Sequence, residues 1–130
     1  MADPLAGSPG YIDHSALAAL SADLCGDTHT VHRFITDFLL LGEVRLERLR
    51  DAMSQAVLDS VHVVLLSIRT SATMLGAVLV EKCVTAMLSA VKDADLAACA
   101  EQIGHLVELG QQTCRELDGW LQAGQLRLAS

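Results

Sequence analysis

The side chains able to do chemistry in this chain are few and stand far apart. There are five histidines: His14, His29, His32, His62 and His105. An imidazole can bind a metal, move a proton or take a phosphoryl group, so each is a candidate. His29 and His32 are three residues apart, a helical spacing that brings both toward one ion. A zinc site needs three or four ligands, however, and nothing near this pair in sequence completes one. The four cysteines, Cys25, Cys83, Cys99 and Cys114, are separated by 58, 16 and 15 residues, with no CxxC pair. They are expected to be reduced thiols that behave as small buried apolar groups. No serine or cysteine has a recognisable base partner, and no pair of carboxylates suggests general acid–base work. The expectation is a protein that is not an enzyme, with no metal site and no cofactor.

Periodicity shows which elements would position these groups. Asp13 is a suitable N-cap for a short helix carrying Leu17, Leu20 and Leu24 and stopping near Gly26. A second helix is expected from Asp27 or Thr28 to about Met53, with Val31, Ile35, Phe38, Leu41 and Leu49 recurring every three or four residues. A third spans about Val57 to Leu75, with Leu58, Val61, Leu65, Ile68, Ala72 and Leu75 on one stripe and Gly76 as the break. The fourth runs from about Ala77 to Val91, with Val80, Val84 and Met87 inward. A fifth follows Asp93 and Asp95 to about Gln122, with Leu96, Cys99, Ile103, Leu106, Leu109, Leu117 and Leu121 inward. No segment alternates at period two. Four long amphipathic helices with two- to four-residue links imply an all-α, up-down antiparallel four-helix bundle with an additional short N-terminal helix over one end. The expected organisation is a flexible segment 1–10, a bundle over 11–124 and a tail at 125–130.

Composition agrees with this architecture. The 130 residues are 52% apolar but only 3% aromatic, a core built from Ala, Leu, Val and Met that favours helices. Nine Lys and Arg against 16 Asp and Glu give a net charge of −7, unsuited to binding nucleic acid, which needs cations against phosphate. Arg45, Arg48 and Arg50 cluster, but Glu43, Glu47 and Asp51 interleave them, so this stretch reads as a solvated, ion-paired helix face. The most apolar run, 57–80, is interrupted by Asp59, His62 and Arg69 and does not resemble a membrane span. Met1 to Gly10 lacks the basic start and apolar run of a secretory signal. A cytoplasmic protein without nucleic-acid or membrane partners is expected.

The most informative stretch is Leu66-Ser67-Ile68-Arg69-Thr70-Ser71-Ala72-Thr73-Met74-Leu75-Gly76-Ala77, on the third helix. It resembles the histidine-containing phosphotransfer (HPt) domains of bacterial phosphorelays. In that family a phosphoacceptor His on the third helix is followed by Lys at three residues, a small or hydroxyl residue at five, and Leu-Gly-Ala at nine to eleven. Here Arg69, Ser71 and Leu75-Gly76-Ala77 take those places. Tyr11-Ile12-Asp13 with Leu17 and Leu20, then Gly26-Asp27, is similar to the family's first helix, and Val80, Val84 and Met87 fit its fourth. The resemblance spans residues 11–122.

One departure alters what the resemblance implies. The position of the phosphoacceptor is Leu66, and a hydrocarbon has no nucleophilic atom to take a phosphoryl group. His62 lies one helical turn earlier, rotated by about 40°, and is the alternative acceptor. Read with His62 as acceptor, the motif fits worse, since Leu65 falls where Lys belongs and Ala72-Thr73 where Gly-Ala belongs. In the family a polar residue often approaches the acceptor from the fourth helix; its equivalent here is Leu88, and Leu40 is placed nearby from the second. Val63, Leu66 and Leu88 are therefore expected to form an exposed apolar contact patch rimmed by Arg69, Thr70 and Thr73. Ser71 and Gly76 are expected to be structural parts of the motif. The function implied is that of a phosphorelay signalling module without phosphotransfer, binding a response-regulator receiver domain or a sensor kinase. The alternatives are an active phosphocarrier using His62 and a structural homodimer.

Overall fold

A computed structural model describes residues 11–24 and 28–129 of the chain. The expected N-terminal segment 1–10, Cys25 and the Gly26-Asp27 link lie outside these residues, as does the side chain of Leu121. Among the described residues six helices follow in order: α1 His14–Asp23, α2 Thr28–Ser54, α3 Leu58–Leu75, α4 Val78–Lys92, α5 Leu96–Glu101 and α6 Ile103–Ala129. No strand occurs among the described residues. The architecture is an antiparallel up-down bundle of α2, α3, α4 and α6, with the short α1 packed against α2 and α3 at one end.

Local chemistry sets most of the helix ends. Asp13 caps α1, its carboxylate accepting from the backbone N–H of Ser15 at 3.0 Å, and Asp95 caps α5 by accepting from Ala98 N–H at 3.0 Å. Three helices stop in the same way at their carboxyl ends. A residue turns left-handed and the next N–H reaches back five residues: Val57 to the Ala52 carbonyl, Ala77 to Ala72 and Asp95 to Ala90. The left-handed residues are Ala56 (φ 56°), Gly76 (φ 71°) and Ala94 (φ 57°). Only Gly76 adopts this conformation without a Cβ penalty.

Two expectations about helix extent are corrected. The fifth predicted helix is interrupted at Gln102, whose N–H bonds the Cys99 carbonyl three residues back, separating α5 from α6. Gly104, a weak helix former, follows at once. At the far end α6 continues to Ala129, so the expected tail is helical almost throughout; the chain has no proline after Pro9 to stop it.

The core is two adjoining clusters. The larger joins Leu49, Val61, Leu65, Ile68, Val80, Val84, Met87, Cys99, Leu106 and Leu109 along the bundle axis. The smaller, Ile12, Leu17, Val31, Ile35, Leu75 and Leu117, seats α1 on the bundle end. Leu41 and Leu58, both expected inside, are exposed. Leu58 is the first residue of α3, where no turn precedes it to be packed against, and Leu41 lies at the margin of the α2 stripe. Between α2 and α6 the bundle is looser. A cleft of about 770 Å³ opens there, with Ile68, Val80 and Leu106 among its lining and Gly42 and Gly110 presenting no side chain to it.

Candidate functional site

The sequence motif falls on α3, a helix flanked by α2 on one side and α4 on the other. Val61, Leu65, Ile68, Ala72 and Leu75 are buried and fix its rotation. At 100° per residue, this places His62, Val63, Leu66, Thr70 and Thr73 on the opposite, outward half and Arg69 on its flank. His62, Thr70 and Thr73 are exposed, and Val63 is 64% exposed. Leu66 and Arg69 are half-buried.

Leu66 is neither sealed nor bare, because its side chain packs against the edge of the larger core cluster. Leu88 differs from its expected exposure. It is only 8% exposed and belongs to that cluster itself. The Thr73–Glu81 contact sets the level of α4 against α3 and puts residue 88 beside residue 66 along the axis, but the rotation of α4 turns Leu88 inward with Val84 and Val91. The apolar surface on this face is therefore Val63 with the outer part of Leu66, not a three-residue patch. Leu40 is also not part of it. Arg45 on α2 stands level with Ser71 on α3, so Leu40 lies toward the Leu75 end, about 15 Å along the axis from Leu66. It is 69% exposed, on the side of α2 turned away from the core.

Three hydroxyls of the motif, those of Thr70, Ser71 and Thr73, are occupied within the chain. Thr70 Oγ1 donates to the Leu66 carbonyl at 2.9 Å, and Thr73 Oγ1 donates to Glu81 Oε2 on α4 at 2.7 Å. Ser71 Oγ accepts from Arg45 Nη1 at 3.0 Å, tying α2 to α3 through a partly buried contact. The roles of Arg45 and Glu81 were not visible in the motif. A cation and a carboxylate at the right level on neighbouring helices are signals only once the register between helices is known. Arg69 has no hydrogen-bond or ion-pair partner among the described residues. The ion-paired face expected for 43–51 is not found among the described residues; Arg45 is directed to Ser71 instead.

Gly76 closes the motif and also receives α1. The Asp13 N–H donates to the Gly76 carbonyl at 2.6 Å. A Cβ at residue 76 would lie 2.6 Å from the Asp13 carbonyl oxygen and 2.8 Å from the Ala16 Cβ. The left-handed turn and the approach of α1 both require glycine here.

Other candidates do not assemble. Among the described residues no three His, Cys, Asp or Glu side chains come together to hold a metal. His14 is within 3.2 Å of Glu116, an exposed link between α1 and α6. Cys83 and Cys99 are buried and free, and burial raises the pKa of both thiols, leaving them poor nucleophiles at neutral pH. No helix among the described residues is long and apolar enough to cross a membrane. The face around Leu66 can thus offer apolar contact and a cation. It offers no nucleophile at residue 66.

Comparison with known proteins adds the fold. No protein-family model matches the chain, and no curated protein matches its sequence. In three dimensions it is similar to the crystal structure of histidine-containing phosphotransfer protein B (HptB) from Pseudomonas aeruginosa PAO1. The TM-score is 0.80, over 89% of this chain and 98% of that one, at 17% identity. The chain has an HPt-like fold. At that identity the likeness extends to the fold and no further.

Proposed function

We propose that this chain is an HPt-like signalling module that does not transfer phosphate and instead binds a phosphorelay protein, either a response-regulator receiver domain or a sensor kinase. Its place of work on this reading is the cytoplasm. The observation that carries it is Leu66, which takes the acceptor place in the motif on a bundle of HPt-like fold. A hydrocarbon there cannot form a phosphoramidate, yet the residue stays accessible at its outer edge beside exposed Val63 and Arg69, which has no partner among the described residues. Docking would use that apolar edge, with the guanidinium meeting the acidic phosphorylation pocket of a receiver. Thr70 and Thr73 frame the contact, while Ser71 and Gly76 hold α3 in place beneath it.

The test is a titration of isotope-labelled protein with a panel of receiver domains, each in its phosphorylated form. Resonance shifts centred on Val63, Leu66, Arg69 and Thr70, weakened by Arg69→Glu, are the expected result. The same mixtures are assayed for acid-labile phosphate on the chain. Label that appears on the wild type and disappears in His62→Ala overturns the inactive reading in favour of the displaced acceptor. His62 is exposed one turn from Leu66, so the assay is a fair trial of it.

A further inference from the structure

The outward side of α2 carries a pattern that the α3 face does not explain. Leu40 is 69% exposed, and Leu41 and Val44 are exposed as well. At 100° per residue, Arg33, Asp37, Leu40, Arg48 and Asp51 all lie within about 40° of Val44, and Leu41 at about 60°. The fully buried residues of this helix, Val31, Ile35 and Leu49, point the other way. Around Val44 the stripe thus reads cation, anion, three apolar residues, cation, anion; Leu41 and Asp37 border a small pocket toward α3 on one side, and exposed Glu47, about 60° from Val44, borders the stripe on the other. Arg33, Asp37, Arg48 and Asp51 are all exposed, and none has an ion-pair partner among the described residues.

The order of those charges is self-complementary under a two-fold axis. Place a second α2 antiparallel across the first, with the axis between residues 42 and 43. Each Val44 then falls against Leu40 and Leu41 of the other copy. Asp37 and Arg48 are equally far from the axis and lie on the same flank of the stripe, so each meets the other across the contact. Arg33 and Asp51 do likewise on the opposite flank, about 27 Å apart along one helix. A two-fold perpendicular to the helices keeps each flank with its own kind, so the pairs meet without crossing. A parallel arrangement would set Asp37 against Asp37 and Arg48 against Arg48. A chain of net charge −7 resists its own approach, and these two arginines supply the compensating charge where the copies would touch.

We propose that α2 is a self-association surface, on which two copies of this chain pack antiparallel through Leu40, Leu41 and Val44 between reciprocal Asp37–Arg48 and Arg33–Asp51 pairs. The inference does not rest on the role assigned to Leu66, since the two surfaces lie on different helices.

Sedimentation of the full chain over a concentration series, up to about 1 mM, reads the association. The expected mass rises from 13.8 kDa toward twice that value. Asp37→Arg and Arg48→Asp each place two like-charge contacts in the interface, so each alone associates at least about tenfold more weakly. An equimolar mixture of the two variants restores association, because each pair in the mixed dimer then joins an arginine to an aspartate, one in the native and one in the reversed polarity. The double variant also recovers it. All four residues are exposed, and circular dichroism checks that the variants remain helical. A wild type that stays monomeric at the highest concentration overturns the proposal. So does a dimer indifferent to both reversals, or single variants that fail to associate when mixed.

Discussion

Replacing Gly76 by alanine is the sharpest probe of how the motif is built. Alanine in the left-handed conformation costs about 1–2 kcal/mol relative to glycine. Ala56 and Ala94 show that the chain tolerates that penalty where the surroundings are open. At residue 76 they are not. The new Cβ would fall 2.6 Å from the Asp13 carbonyl oxygen, a backbone atom with no flexible end to swing aside, and 2.8 Å from the Ala16 Cβ. Relief requires α1 to move, which stretches the hydrogen bond from Asp13 N–H to the Gly76 carbonyl, worth about 1 kcal/mol. It also loosens Ile12 and Leu17 in the end cluster. The expected loss is about 3 kcal/mol, read as a lowered urea midpoint by far-ultraviolet circular dichroism at unchanged slope. Gly42→Ala and Gly110→Ala are the controls. Both sit inside helices, nothing lies within 4 Å of their added Cβ, and each should stabilise by about 0.5–1 kcal/mol. A Gly76→Ala protein that loses 1 kcal/mol or less would refute the close approach of α1.

Ala94→Gly should stabilise the protein by about 0.5–1 kcal/mol, since removing the left-handed strain outweighs the entropy of glycine; thermal melts that show a loss instead would place residue 94 outside that conformation. Leu88→Ala should destabilise by about 2–4 kcal/mol in urea titrations, whereas Leu66→Ala, partly in water at the core's edge, should cost less, about 1–2 kcal/mol. The reverse order would mean that Leu88, not Leu66, holds the outer place. The Ser15 hydroxyl, and next the Ser15 N–H, hold the Asp13 carboxyl below the usual carboxylate range. Its contribution to stability is present above the unfolded-state value and is lost as pH falls through the lower, folded one. Acid titration followed by circular dichroism should therefore show a shallower pH dependence below about pH 4 in Asp13→Asn, which keeps a cap but cannot titrate.

Much of the fold was legible in single residues and short patterns, because the forces that set it are local. Asp13 and Gly76 mark helix ends by what their own side chains allow, and the stripe from Val61 to Leu75 follows from a period of 3.6 residues. The four-helix bundle could thus be anticipated from helix lengths and short links, its HPt likeness only from the resemblance of the α3 motif, and the structural likeness to HptB carries the same architecture. The absence of a nucleophile at residue 66 was also plain, since no tertiary context gives leucine one.

What tertiary structure decided was which side of each helix is left over once neighbours are in place. Leu88 and Leu40 are both leucines on amphipathic helices, and nothing in their local sequence says that the first is buried and the second bare. That depends on the rotation of α4 and α2 within the bundle, which many distant contacts set together. The pairing of Arg45 with Ser71 and the seating of Asp13 on Gly76 have the same origin. Each joins residues whose separation in sequence carries no periodic signal, so only packing of the whole chain brings them to within hydrogen-bonding distance.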